Sequence, residues 1–342
     1  MMKATDKHTL SYYMTSFFKK YLPGQKNLSP NTIRAYADAF KLLLIYCEEE
    51  KGIKSDRLKL ENIDRELVSG SLDWLEEIRG CKTTTRNQRL IALHSFCRYV
   101  QKISPENMDN LQSVIQIDYK KSKKAIVPYL TEKQMKLLLA QPDGNTWQLF
   151  RDKVMLAVLY DTGARVQELC DLRIKDVRLE SPAVITLTGK GNKARQVPIM
   201  SGTQKLLKIY LEKHKGNAGI SRGDNPLFVN QRGQKLSRWG VSHIIDKYVD
   251  MAKEKGLDVD FSITAHVFRH SKALHMVHAG INLIYIRDFL GHVDCATTEI
   301  YAKIDTETKR KAIEAACKDI TPNENYSDWN EDDDLMSFLK SL

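Results

Sequence analysis

Proline, glycine and helix-capping residues cut the first hundred residues of this 342-residue chain into helices, which leaves no room there for a sheet. Ser29-Pro30 pairs an N-cap hydroxyl with a proline at the first helical position, where a missing N–H is harmless. Tyr36, Phe40, Leu43, Leu44 and Cys47 then fall on one apolar stripe of a helix that ends before Gly52. A second helix is predicted from about Asp64 to Ile78, stopping at Gly80. A third runs from about Thr84 to Val100 and buries Leu90, Leu93, Cys97 and Val100. Its opposite edge carries Lys82, Arg86 and Arg89, with Thr84 in a threonine run at the start. Hydroxyls and cations at a helix start suit phosphate contact, and they equally suit a solvated face with a hydroxyl cap.

Past Ile103 the periodicity fades and Lys120, Lys121, Lys123 and Lys124 cluster. This divides the chain into a helical domain over 1–104, a basic linker over 105–128 and a second domain over 129–317, with a tail over 318–342. Thr131 with Gln134 is a capping box. Helices are expected over about Phe150–Tyr160, from near Arg165, and over about 202–214, 238–255, 266–278 and 283–290. Ala183–Thr188 and Gln196–Ile199 alternate as strands around Gly189-Lys190-Gly191-Asn192, a hairpin. The expected fold class is mainly α, with one small antiparallel sheet in the second domain.

Lys and Arg number 53 against 43 Asp and Glu, a net charge of +10, but the charge is unevenly placed. Residues 318–342 hold two Lys against seven acids, a net of −5, so the preceding 317 residues carry +15. A basic body points to an anionic partner, and nucleic acid is the expected one. The longest apolar run, Val154–Tyr160, is seven residues, against roughly 18 for a bilayer span. With no signal-peptide core at the N-terminus, a cytoplasmic protein without membrane contact is expected. The six cysteines stand singly with no CxxC pair, which argues against a disulfide framework or a zinc ribbon.

Four boxes in the second domain carry chemistry when taken in order. They are Thr162-Gly163-Ala164-Arg165-Val166-Gln167-Glu168-Leu169, then Gly189-Lys190-Gly191-Asn192-Lys193 with Arg195-Gln196-Val197-Pro198, then His266-Val267-Phe268-Arg269-His270. The fourth is Leu290-Gly291-His292, followed nine residues later by Tyr301. Together they resemble the TGxRxxEL, lysine-hairpin, HxxR and LGH…Y boxes of the tyrosine recombinases, the lambda-integrase-like and Xer-like family. The match covers roughly Thr131 to Cys317. The first domain fits that family's core-binding, SAM-like domain in kind.

The resemblance implies a C-shaped clamp on duplex DNA and a conservative strand exchange. Metal-free cleavage of a phosphodiester needs a nucleophile, charge clamps on the non-bridging oxygens and a proton donor for the leaving oxygen. Tyr301 is the expected nucleophile, and Arg165 and Arg269 the clamps, since each guanidinium can fork onto two oxygens. The resemblance makes Lys190 the general acid, with Lys193 a rival on the same turn, and places His266 and His292 at the phosphate. Glu168 is expected to support a basic residue rather than to react. Lys82, Thr84, Arg86, Arg89, Lys121, Lys124, Lys193, Arg195, Arg238 and Lys272 are the candidate DNA contacts.

No metal or other cofactor is expected. His266 and His270 have metalloprotease spacing, but Val267 stands where HExxH needs Glu, and no GxxxxGK[ST] loop is present. In the tail, Asp332–Asp334 suit a helix start, and Leu335, Phe338, Leu339 and Leu342 share one apolar face. By the resemblance that helix docks on a neighbouring copy within a tetramer. A type IB topoisomerase and a non-catalytic DNA-binding regulator remain as alternatives.

Overall fold

The structure, a computed structural model, describes residues 9–104, 108–121, 127–144, 146–189, 191–217, 223–291, 337 and 339–341. The chain divides into two compact units between Ala125 and Ile126.

Among its described residues the first unit forms helices and no strand. Helix α1 (Leu10–Ser16) passes into a π-helical stretch, Phe17–Gln25, and is followed by α2 (Pro30–Lys51), α3 (Arg65–Glu77), α4 (Thr83–Gln101) and α5 (Met108–Ile115). The predicted punctuation holds. The Ser29 hydroxyl accepts from the Thr32 amide, Pro30 opens α2 and Gly52 closes it. Asp64 caps α3 by accepting from the Leu67 amide at 2.8 Å. Phe17, Phe40 and Phe96 meet edge to face at the centre, with centroids 5.3 Å (Phe17–Phe96) and 5.1 Å (Phe40–Phe96) apart. Edge-to-face pairing adds to what burial of the rings alone contributes.

Two expectations are corrected here. The stretch read as a linker contains α5, whose Leu111 and Val114 are fully buried in the first unit's core. Eight residues with two anchors are too short to show a helical period, so the sequence hid this helix. Arg86 is only 4% exposed and donates to the Asp118 carbonyl at 3.2 Å and to Asn87 Oδ1 at 3.1 Å. Spacing explains it: Arg86 stands four residues before Leu90 and seven before Leu93, on the buried stripe rather than the opposite edge. Arg89, half-buried, donates to the Ala35 carbonyl of α2 at 3.0 Å.

The second unit contains α6 (Glu132–Leu139), α7 (Trp147–Thr162), α8 (Val166–Asp171), α9 (Ser201–Asn217), α10 (Arg238–Glu254), α11 (Ala265–His278) and α12 (Leu283–Leu290). Strands β1 (Val177–Arg178), β2 (Val184–Thr188) and β3 (Ala194–Pro198) form one antiparallel sheet in the order β1-β2-β3. Strand β1 is too short to show alternation and was not expected. Val154, Met155, Leu156, Val158 and Leu159 of α7 are fully buried, making α7 the central helix of this unit's core. Ile185, Leu187 and Val197 of the sheet pack into the same core. Among the described residues no helix is long and apolar enough to cross a membrane.

Candidate active site

Arg165 is the N-cap of α8, two residues after Gly163, which ends α7. Its amide donates to Glu168 Oε2 at 2.9 Å, and its Nη1 donates to Glu168 Oε1 at 2.7 Å. The carboxylate thus satisfies an orphan donor at the helix start while holding the arginine side chain. The Arg165 side chain remains 38% exposed, whereas that of Glu168 is 3% exposed. Burial alone pushes the Glu168 carboxyl up. Hydrogen bonds from Arg195 and from the Arg165 amide, the Arg195 charge and the Arg165 guanidinium outweigh it, so Glu168 titrates at about 2. Glu168 is therefore an anion near neutral pH.

The end of α12 draws in three guanidiniums. The last carbonyls of a helix have no partner within it and carry its negative dipole end. Here Arg195 Nε donates to Phe289 O at 2.9 Å, Arg269 Nη2 to Leu290 O at 2.6 Å, and Arg165 Nη2 to Gly291 O at 3.3 Å. Arg269 is buried and also gives Nη1 to the Gly163 carbonyl at 2.8 Å. The TGxR, HxxR and LG boxes, far apart in sequence, therefore meet through backbone carbonyls.

His266 stands in the first turn of α11, one turn before Arg269. The residue is open to solvent, yet crowding at the ring, then the Arg269 and Arg165 charges, hold its imidazole below the usual range. His270, its ring 6.2 Å from that of His266, is pushed down to about 4 by burial, then by His266 and Arg269. Both imidazoles are neutral near pH 7, and a neutral imidazole can accept or donate a proton. Among the described residues no group of three His, Cys, Asp or Glu side chains comes together as a metal site would need.

Two glycines let the parts approach. A Cβ on Gly189, at the hairpin turn, would lie 3.1 Å from Glu168 Oε1 and 3.8 Å from Arg165 Nη1. Gly291 has φ +64°, and a Cβ there would lie 2.9 Å from Arg195 Cδ. The structure thus brings together Arg165, Glu168, Arg269 and His266, with the hairpin turn beside them. Lys190, His292 and Tyr301 lie outside the described residues, as do Lys124, Leu335, Phe338 and Leu342. Leu339 is exposed.

Of the candidate DNA contacts, Lys82, Thr84, Lys121, Lys193 and Arg238 are exposed. Arg195 and Lys272 are corrected. Lys272 Nζ pairs with Asp161 Oδ1 at 3.0 Å and lies 5.1 Å from the centre of the Tyr160 ring, with 15% of its side chain exposed. Arg195 is 12% exposed and bonds both oxygens of Glu168, Nη1 to Oε1 at 3.0 Å and Nη2 to Oε2 at 2.8 Å. Strand alternation carried the missed signal. Arg195 sits directly opposite buried Leu187 and two residues before buried Val197, so it faces inward and needs a partner.

Residues 128–308 match the Phage integrase family, and residues 16–102 match its N-terminal SAM-like domain. The chain belongs to the phage integrase family. This integrase-family chain is 34% identical over 341 residues to the putative integrase/recombinase y4rC of Sinorhizobium fredii, covering 99% of this chain and 100% of that protein. It is 31% identical over 298 residues to tyrosine recombinase XerD of Halalkalibacterium halodurans, covering 87% of this chain and 95% of that one. The fold is also that of XerH recombinase in a post-cleavage complex with a palindromic difH substrate. The TM-score is 0.66 at 24% identity, over 85% of this chain and 80% of that one. Tn1549 transposon integrase bound to transposon right end DNA gives TM-score 0.68 at 17% identity, over 87% and 98%. As a family member the chain is an enzyme of the tyrosine recombinase kind.

Proposed function

We propose that this chain is a site-specific recombinase that cuts and rejoins duplex DNA through a covalent phosphotyrosine. The Tyr301 hydroxyl gives its proton to the neutral His266 as its oxygen attacks phosphorus, and the 5′-oxygen leaves with a proton from the hairpin, Lys190 in the family's assignment. The products are a 3′-phosphotyrosyl link and a free 5′-hydroxyl. The 5′-hydroxyl of a partner strand then attacks phosphorus and releases the tyrosine. Two such rounds pass through a Holliday junction, and because the bond energy stays in the phosphotyrosine, neither ATP nor a metal is consumed. Lys82, Thr84, Lys121 and Arg238 hold the phosphate backbone, Lys193 approaches it at the hairpin, and four copies, linked by the helix carrying Leu335, Phe338, Leu339 and Leu342, assemble on two sites.

The observation that carries this reading is the placement of Arg165 and Arg269 on the neighbouring carbonyls of Gly291 and Leu290. Two forked cations held side by side match the charge that builds on a phosphate under attack. A nicked duplex that loses its 5′-fragment after cleavage traps the covalent adduct and supplies the test. The parent chain is expected to form the adduct and Tyr301→Phe to form none. An adduct surviving that change overturns the nucleophile, and relaxation of supercoils without strand exchange overturns recombination in favour of topoisomerase action.

A further inference from the structure

We infer that Arg195 is a positioning residue for strand cleavage, one that shares the charge of Glu168 and so keeps Arg165 available to the phosphate. This rests on the strand-transfer reading above. The guanidinium joins three elements: it leaves β3, holds both oxygens of Glu168 in α8, and caps α12 at Phe289 O. Its Nε, Nη1 and Nη2 all bond protein acceptors, so it is spent on the protein rather than on DNA.

The geometry at Glu168 Oε1 gives the arrangement a chemical consequence. That oxygen accepts from Arg165 Nη1 at 2.7 Å and from Arg195 Nη1 at 3.0 Å. Were Arg195 absent, a buried carboxylate would have Arg165 as its only cation among these partners, and would compete with the scissile phosphate for it. Arg195 eases that competition by placing a second guanidinium on both oxygens, Nη1 on Oε1 and Nη2 on Oε2, where Oε2 otherwise accepts only from the Arg165 amide among these partners. It also fixes the distance between β3, the outgoing strand of the Lys190 hairpin, and the end of α12. A lysine could not do this, because a single ammonium cannot fork onto the carboxylate and also reach Phe289 O.

The test compares parent, R195K, R195Q, E168Q and the double variant R195Q/E168Q in single-turnover adduct formation on the nicked duplex, with DNA affinity measured separately. Both Arg195 variants should cleave about 10–100-fold more slowly, in line with the cost of a small misplacement near reacting groups, while DNA affinity changes by less than about twofold. Because R195Q lets the Glu168 carboxyl rise from its low pKa, acid should neutralise the competitor, and the deficit should narrow as the pH falls towards 5. The double variant should cleave faster than the two single losses predict. A merely structural arginine would give losses that add and a deficit that does not narrow with acid. Parental rates in R195K, or strict additivity, overturn the inference. If the parent itself forms no adduct, the strand-transfer reading fails, and hydrogen exchange decides Arg195 alone. Exchange should rise in peptides across both 165–171 and 285–291 in R195K and R195Q, and unchanged exchange in either overturns it.

Discussion

The Arg269 guanidinium sits 2.6 Å from the carbonyl oxygen of Leu290, the residue that ends α12. With its second bond to Gly163 O at 2.8 Å, this side chain staples three motif segments from inside the protein. A lysine at 269 keeps the charge and loses the fork. R269K should reduce adduct formation by about 10³-fold or more, the scale set by loss of a transition-state arginine in other phosphoryl transfers. Single-turnover cleavage measures it, and a loss under tenfold would remove Arg269 from the clamp.

Glu168 links stability to pH. Its carboxyl titrates at about 2 when folded against 4.5 unperturbed, so its contribution is present above pH 4.5 and is lost as the pH falls through 2. E168Q should therefore be less stable than the parent at pH 7, by about 3 kcal/mol. The gap should narrow below about pH 4.5. Urea unfolding of both proteins from pH 7 to pH 3 checks this, and a pH-independent gap would contradict it.

At Gly291, an added methyl meets Arg195 on a backbone that already has positive φ. G291A should cost about 1–2 kcal/mol from the left-handed conformation alone, with further loss from displacing Arg195. The expected signature is a lower Tm together with slower adduct formation. A parental Tm would show that Arg195 can move aside freely.

Arg86 and Lys121 should behave as opposites. R86A removes the link from α4 to the Asp118 carbonyl, which should lower Tm and leave the salt dependence of DNA binding unchanged. K121A removes an exposed cation, so it should leave Tm unchanged and reduce the slope of log affinity against log salt by about 1. Affinity measured over a salt series separates them.

Much of the site was legible in the chain. Arg165, Glu168, Arg269 and His266 were singled out by the resemblance of their boxes to a known family, and the structure brings all four together. Helix α2 was readable because its stop and start signals are local: Ser29, Pro30 and Gly52 each act within one turn. Arg195, Lys272 and Arg86 were read as surface cations for a single reason. Composition shows a positive charge, but whether that charge faces DNA or a buried acceptor depends on partners remote in sequence. Glu168 lies 27 residues from Arg195, Asp161 lies 111 from Lys272, and the Asp118 carbonyl lies 32 from Arg86. Helix α5 and strand β1 were missed because each is shorter than the period that would reveal it.

Phe289, Leu290 and Gly291 hold the three arginines through carbonyl oxygens, an atom that every amino acid brings. The side chains at 289 and 290 can therefore drift to suit core packing without disturbing the cations, so mutational tolerance and chemical constraint are separated along a single turn of helix. Only at 291 do the two coincide, because there the absence of a side chain is itself the requirement.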